Sequence, residues 1–472
     1  MNKAVTLGIL FLLTTCTNPT PESIQQNLIP AVIIGNQTPT YPIQQRMAKY
    51  NTPGVSIAIF NNNQITWTDT IGVSDANQQT PLTTNTKFQA ASISKPITAL
   101  GVLKLTQTHN LDLDTDINQY LTSWQVKNPF DEPVTIRRLL NHTAGVNISG
   151  FQGYPKSDTI PDTVRVLNGL GNTPAIEVMI TPGTQFNYSG GGYTILQQLI
   201  QDITGTSFQN YFQQAIFQPL QMTDSTFNQY PQNNISLAHD NEGQPHPDGW
   251  LIYPELAAAG LWTTPTDIAK FAIAIQNAHQ GKPDAIIPQH LANAMLTPQN
   301  NWGLGVGIRG EGTDQYFFHG GANPGGYKNI MVNTFNANAG IVVMTNAEQG
   351  NKLHDELIRA FSAHYNINVL QPRHIQPIPL TDDQLARYTG TYQYREAGDY
   401  YLTMTQTEDN QLVLHDPNDG MTNTFLPVDD NTFVEVEEGF EITFDRDAET
   451  NAVLSVDYNG AYTFYRVDDL PN

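Results

Sequence analysis

The period of the hydrophobic positions changes several times along this chain, and each change predicts an element. Val55-Ser56-Ile57-Ala58-Ile59-Phe60 is a β-branched run that predicts a strand. Asn61-Asn62-Asn63 predicts its turn, and Gln64-Ile65-Thr66-Trp67-Thr68 the returning strand of a hairpin. From Ser92 the period lengthens. Ile97, Leu100, Val102, Leu103 and Leu105 predict a helix to about Gln107 with one side buried. Pro96 is tolerated only in a first turn, which puts the helix start near Ser92. Val134 to Gly145 predicts another helix, capped by Thr135 and ended by Gly145. Thr181 to Tyr193 reads as a turn, a short extended piece and a glycine-rich bend, before a helix from Thr194 to about Ile203. Thr266 begins a further helix, Tyr316 to Phe318 a strand opening into a loop, Ile341 to Asn346 a central strand, and Asn351 to about Tyr365 a closing helix. After Pro372, Pro377 and Pro379 come about eight short β-rich runs at regular spacing, the pattern of a small up-and-down barrel.

Charge narrows the partners. The formal net charge is -22 at pH 7, which argues against nucleic acid and against anionic lipid surfaces. The acidity is concentrated at the end of the chain. From Ile375 onward about 20 acidic residues stand against about 4 basic ones.

Candidate chemistry begins at Ser92-Ile93-Ser94-Lys95. Residues three apart share one face of a helix, so Lys95 would stand beside Ser92. A serine in a first helical turn also lies near unpaired N–H groups, which can hold the negative charge on an attacked carbonyl oxygen. Taken alone, Ser92 is equally read as a helix cap. Tyr188 sits at the glycine-rich bend, where it reads either as a packed aromatic or as a base. Beside ammonium groups its anion would become accessible and could take the proton of Ser92. His142 reads as a histidine that fixes a helix end by hydrogen bonding. Gly305-x-Gly307-x-x-Gly310 matches a dinucleotide fingerprint by letter only. Without the strand before it and the helix after it, it reads as a glycine-rich strand and turn. No cofactor and no metal site is expected, because no His-Glu-x-x-His, cysteine pair or carboxylate cluster occurs.

Ser92-x-x-Lys95, Tyr188-Ser189-Gly190 and His319-Gly320-Gly321 follow one another in that order, flanked by Leu139-Leu140-Asn141-His142-Thr143-Ala144-Gly145 and Pro182-Gly183-Thr184. Together they resemble the serine beta-lactamase family in its class C-related branch, which includes D-alanyl-D-alanine carboxypeptidases, D-aminopeptidases and esterases. The resemblance covers roughly Gln45 to Tyr365. It implies an α/β (α+β) transpeptidase fold, an antiparallel sheet flanked by helices plus an all-helical region. It implies Ser92 as nucleophile, Lys95 and Tyr188 as the groups that handle its proton, and the N–H groups of Ser92 and Ala322 as an oxyanion hole. The strand carrying His319, Gly320 and Gly321 would edge the site. His319 would be a second cation or donor, with turnover falling as it loses its proton at about pH 6 to 7. The family usually has Asn where Gly190 stands, and that carboxamide commonly contacts the lysine and the substrate amide. Gly190 would therefore leave room for a bulkier acyl group. The barrel resembles the lipocalin-like appendage of some members. The reading is a secreted serine hydrolase of the esterase or D-amino-acid peptidase kind, acting through an acyl-enzyme on a small-molecule or peptide acyl substrate, an ester or an amide. The alternatives are a weak beta-lactamase and a non-catalytic binding protein on the same fold.

The amino end supplies an address. A short basic head, an apolar run from Ala4 to Leu13 and then Cys16 make a secretory signal. It resembles a bacterial lipoprotein signal, with Thr15 where Gly, Ala or Ser is usual, and implies lipidation of Cys16 and a periplasmic or outer-membrane location. Membrane attachment would be through that anchor alone. Cys16 is the only cysteine, which excludes an internal disulfide. The expected division is signal 1–16, tether 17–45, hydrolase domain 46–368, linker 369–380 and barrel 381–472.

Overall fold

Strand β1 (Gly54–Asn61) is apolar on both faces, so its sheet must be covered on both. The computed structural model shows how. It describes residues 21–398, 400–407, 409, 411–417 and 420–467; the signal segment with Cys16 lies outside these. With α1 (Ile43–Lys49) before it, β1 pairs with β2 (Gln64–Asp75), which carries the short β3 (Thr80–Pro81). Helices α2 (Ser94–His109), α3 (Gly190–Thr204) and α4 (Pro265–His279) follow. Strands β4 (Gly307–Arg309), β5 (Tyr316–Asn323), β6 (Tyr327–Thr334) and β7 (Gly340–Thr345) then complete the sheet, and α5 (Gly350–Tyr365) ends the unit. The strand order is β3-β2-β1-β7-β6-β5-β4, antiparallel throughout.

Alternation along the central strands divides the core. Val55, Ile57, Ile59, Ile341 and Val343 pack beneath α5. Ala58, Phe60, Val342 and Met344 face α4 and the all-helical region. Helix α2 is buried around most of its circumference rather than on one side, because the helical region surrounds it and its apolar residues share one core with Ala58, Phe60, Val342 and Met344 of the sheet. That central position fixes its amino end, where Ser92 lies.

One buried ion pair ties α1 to α5. Arg46 Nε donates to Glu356 Oε2 at 2.7 Å, a second bond joins Arg46 Nη2 to Glu356 Oε1, and the Tyr50 hydroxyl donates to Glu356 Oε1 at 2.8 Å. Removing one partner leaves the other charge stranded. Glu356→Ala is expected to lower unfolding stability by about 3–5 kcal/mol, measured by urea denaturation.

The segment expected as a tether is packed from Pro21 onward. Ile24, Leu28, Ile33 and Ile43 are buried, and Val32–Ile34 pairs in parallel with Arg373–Ile375 of the expected linker. These few apolar residues suffice to dock a stretch whose composition is mostly polar. The carboxyl-terminal barrel comprises β8 (Gly390–Tyr394), β9 (Tyr400–Gln406), β10 (Leu412–His415), β11 (Thr422–Pro427), β12 (Thr432–Glu435), β13 (Glu441–Arg446), β14 (Val453–Tyr458) and β15 (Tyr462–Val467). It closes where β8 pairs with β15, so no edge is left open. The loop before β13 rests on the first unit, with Lys49 at 2.6 Å from Glu437 and Lys352 at 3.3 Å from Glu438.

Candidate active site

Ser92 does not sit inside α2. Ala91–Ile93 form a single 3₁₀ turn immediately before it, and Ala91 holds a φ of 51°. That left-handed conformation is unfavourable for a residue with a Cβ. Several contacts hold it. Ser94 Oγ donates to the Ala91 carbonyl at 2.6 Å and accepts from the Leu261 N–H at 3.0 Å. Phe88–Gln89 pairs with Trp262–Thr263 just upstream. On the far side β5 presses against the same chain: a Cβ on Gly321 would lie 2.2 Å from the Ala90 carbonyl oxygen, so only glycine fits there. Ser94 was not foreseen as part of the site, although it stands two residues from Ser92. Ser94→Ala removes both hydrogen bonds and is expected to cost about 1–3 kcal/mol of stability, read from urea unfolding, with a fall in turnover while KM holds.

Lys95 is 1% exposed and points at the serine. Its Nζ donates to Ser92 Oγ at 3.0 Å and to the Ala258 carbonyl at 2.9 Å. The Ala258 carbonyl is itself positioned. Thr98 of α2 donates to the Ala257 carbonyl, and Gln197 of α3 accepts from the Ala257 N–H and donates to the Pro254 carbonyl. Burial pushes the Lys95 ammonium down to about 7. Tyr188 closes the other side, its ring 4.9 Å from Lys95 Nζ. Burial pushes that phenol up to about 12, against the opposing effect of Ser92. The expectation of an accessible tyrosinate is therefore corrected. Near neutral pH the tyrosine keeps its proton, and the lysine amine is the group poised to accept one.

The two histidines stand differently against expectation. His142 Nδ1 accepts from the N–H of Ser189, the N-cap of α3, at 3.0 Å, so it fixes a helix end as expected and with it the loop carrying Tyr188. Its ring lies 4.3 Å from that of Tyr188. Burial, then Lys95 and His319, hold its pKa well below the ordinary histidine value. His319 is 2% exposed, and its Nδ1 is 2.6 Å from the Gly320 carbonyl. A carbonyl only accepts, so Nδ1 carries a hydrogen. Burial and then Lys95 push His319 down to about 3. His319 is thus not a cation at neutral pH, and a loss of turnover from its deprotonation near pH 6 to 7 is not expected. A second ammonium-like charge next to Lys95 in a dry site would be unfavourable.

Gly190 does not open the cleft. A Cβ there would lie 2.8 Å from the Phe151 ring and 3.1 Å from the Ser149 carbonyl oxygen, so Phe151 fills the space an asparagine would need. Gly190 belongs to α3, which starts four residues earlier than expected. Ser189 caps it by accepting from the Gly192 N–H at 2.9 Å. Three glycines enter a helix here because neighbouring chain crowds Gly190 and Gly191. Ala322 is exposed at the end of β5. Strand β4 pairs with β5 only from Tyr316 to Phe318, so among the described residues the edge from His319 to Ala322 has no strand on that side. A Cβ on Gly320 would make only ordinary contacts, 3.8 Å from the Asn329 carbonyl oxygen and from Ile330. Trp302 and Phe186, which the sequence did not single out, extend the site outward. Trp302 packs on His319 and His142 at 5.5 Å each and on Tyr188 at 5.8 Å, and Phe186 on Trp302 at 5.5 Å.

A serine beside a buried lysine, a tyrosine across from it and an open-edged strand at their side define a serine hydrolase site of the transpeptidase kind. A family model described as Beta-lactamase matches residues 43–363, and the chain belongs to the beta-lactamase family. Protein flp of Staphylococcus aureus (strain MRSA252) is 28% identical over 346 residues, which make up 70% of this chain and 65% of that protein. The chain thus spans less than two thirds of that relative's length. Among solved structures, the octameric penicillin-binding protein homologue from Pyrococcus abyssi aligns over 90% of this chain and 98% of its own, with a TM-score of 0.62 and 20% identity. The D-amino acid amidase from Ochrobactrum anthropi SV3 complexed with D-phenylalanine aligns over 68% and 97%, with a TM-score of 0.56 and 22% identity. At these identities the structural likeness is one of fold.

Proposed function

We propose that this chain hydrolyses an ester or amide with an apolar acyl group, through an acyl-enzyme on Ser92. The observation that carries the reading is the buried Lys95 amine 3.0 Å from Ser92 Oγ. In the proposed step, neutral Lys95 takes the hydroxyl proton as Ser92 Oγ bonds to the acyl carbon. The oxyanion rests on the N–H groups of Ser92 and Ala322. Tyr188 relays a proton to the leaving group and recovers one from the lysine. Water then attacks the acyl-enzyme by the same steps reversed. The neutral His319 packs beneath Trp302 and shapes the strand edge without contributing charge.

Phe186 and Trp302 supply aromatic surface beside Tyr188 and His319, which supports an apolar acyl group. The likeness in fold to a D-amino acid amidase supports an amide of an aromatic D-amino acid as the second substrate class. The apolar amino-terminal run ending at Cys16 supports export and lipid anchoring in the cell envelope.

The test is a substrate panel on the wild type, Ser92→Ala and Trp302→Ala. It comprises p-nitrophenyl acetate, p-nitrophenyl 3-phenylpropionate and the amides of D- and L-phenylalanine. The phenylpropionyl ester is expected to exceed the acetyl ester in kcat/KM by about tenfold or more, with the preference reduced in Trp302→Ala and all turnover lost in Ser92→Ala. Turnover retained by Ser92→Ala, or a preference for acetyl, would overturn the proposal.

A further inference from the structure

The two ends of the barrel are built differently. At one end Tyr388, Phe433 and Phe444 pack ring against ring and fill the interior. At the other, the joined ends of β8 and β9, of β10 and β11, and of β14 and β15 surround a cavity of about 390 Å³. That volume suits a small organic ligand. Its wall is a run of rings. Phe464 lies 5.4 Å from Tyr394, 6.0 Å from Tyr400 and 6.4 Å from Tyr458, and Tyr394 lies 5.7 Å from Tyr462. Leu402 and Leu414 form the apolar interior surface. Asp416 also lines it, 6% exposed, and accepts a hydrogen bond from the Tyr400 hydroxyl. None of the described residues lining the cavity is lysine, arginine or histidine.

The pieces favour one ligand chemistry. Aromatic faces attract cations through their quadrupoles, most strongly where water is excluded. A carboxylate in the same wall adds the opposite charge to that attraction. The acidic excess from Ile375 onward draws cations toward the same unit. We propose that the barrel mouth binds an organic ammonium ion with an apolar or aromatic body. The head would lie against Asp416 and the tyrosine rings, and the body against Leu402 and Leu414. The site is separate from Ser92, and the proposal does not depend on the hydrolytic reaction.

Three probes with one body and different charge test it: 4-phenylbutylamine, 4-phenylbutanol and 4-phenylbutyrate, titrated calorimetrically into the full chain at neutral pH. The amine is expected to bind at least about tenfold more tightly than the alcohol, with the acid weakest. Asp416→Asn, with wild-type melting behaviour and ester turnover, is expected to bind amine and alcohol alike. Tyr462→Ala removes a ring at the rim, where the residue is 52% exposed and little packing is lost. It is expected to weaken the amine severalfold, and it decides the matter if Asp416→Asn does not fold. Equal binding of the three probes, no binding of the amine at millimolar concentration, or an amine preference that survives both substitutions would overturn the proposal.

Discussion

Lys95→Met will lower kcat/KM for an activated ester by roughly 10⁴-fold, and the acidic limb of the pH profile will go with it. Methionine keeps most of the buried volume and removes only the amine. The sign follows from the lysine. Its pKa is lowered to about 7 by burial, and only the neutral amine accepts the Ser92 proton. In the wild type, log kcat/KM therefore rises with unit slope up to about pH 7 and is level above it. A histidine cation at residue 319 would give the opposite trend, a fall through about pH 6 to 7. Its burial at 2% exposure beside Lys95 disfavours that charge. Profiles measured from about pH 5 to 9 on wild type and Lys95→Met separate the two. A wild-type profile that falls through this range would contradict the assignment of the base.

Tyr188→Phe will lower kcat/KM by about 10²–10⁴-fold for an amide or alkyl ester, and far less for a p-nitrophenyl ester. The difference lies in the leaving group. An amine or alkoxide must gain a proton to depart, whereas p-nitrophenolate leaves as the anion. Tyr188, pushed up to about 12, holds a proton to give across the whole working range. Phenylalanine keeps the ring that lies 4.9 Å from Lys95 Nζ and packs 4.3 Å from His142, so the substitution isolates the hydroxyl. Equal losses on amide and activated ester would assign Tyr188 to positioning Ser92 rather than to proton transfer.

Elements with strong local patterns were legible in the sequence. The hairpin of β1 and β2, helix α2 and the eight barrel strands follow from alternation, helical spacing and turn residues. Ser92 and Lys95 were legible for a similar reason: their separation is three residues, and a turn of helix converts that directly into a contact of 3.0 Å. What escaped depends on residues far apart in the chain. The Ala258 carbonyl reaches Lys95 across 163 positions, and no side-chain type marks a carbonyl acceptor. Trp302 joins the site only through the packing of β4 and β5. Whether His319 is charged is set by burial, which its sequence neighbours do not reveal. Gly190 looked like an opening because the occupant of that space, Phe151, lies 39 positions earlier. The stretch from Pro21 to Gln45 looked like a tether because its composition is polar, while four isoleucines and leucines at the right positions dock it.

Intact mass after exposure to a fluorophosphonate, for the wild type and Ser92→Ala, decides whether Ser92 is the nucleophile. One adduct is expected on the wild type, mapped to Ser92, forming faster as pH rises toward 7 and levelling above it, and none on Ser92→Ala. No adduct on the wild type, or an equal adduct on Ser92→Ala, would contradict that assignment.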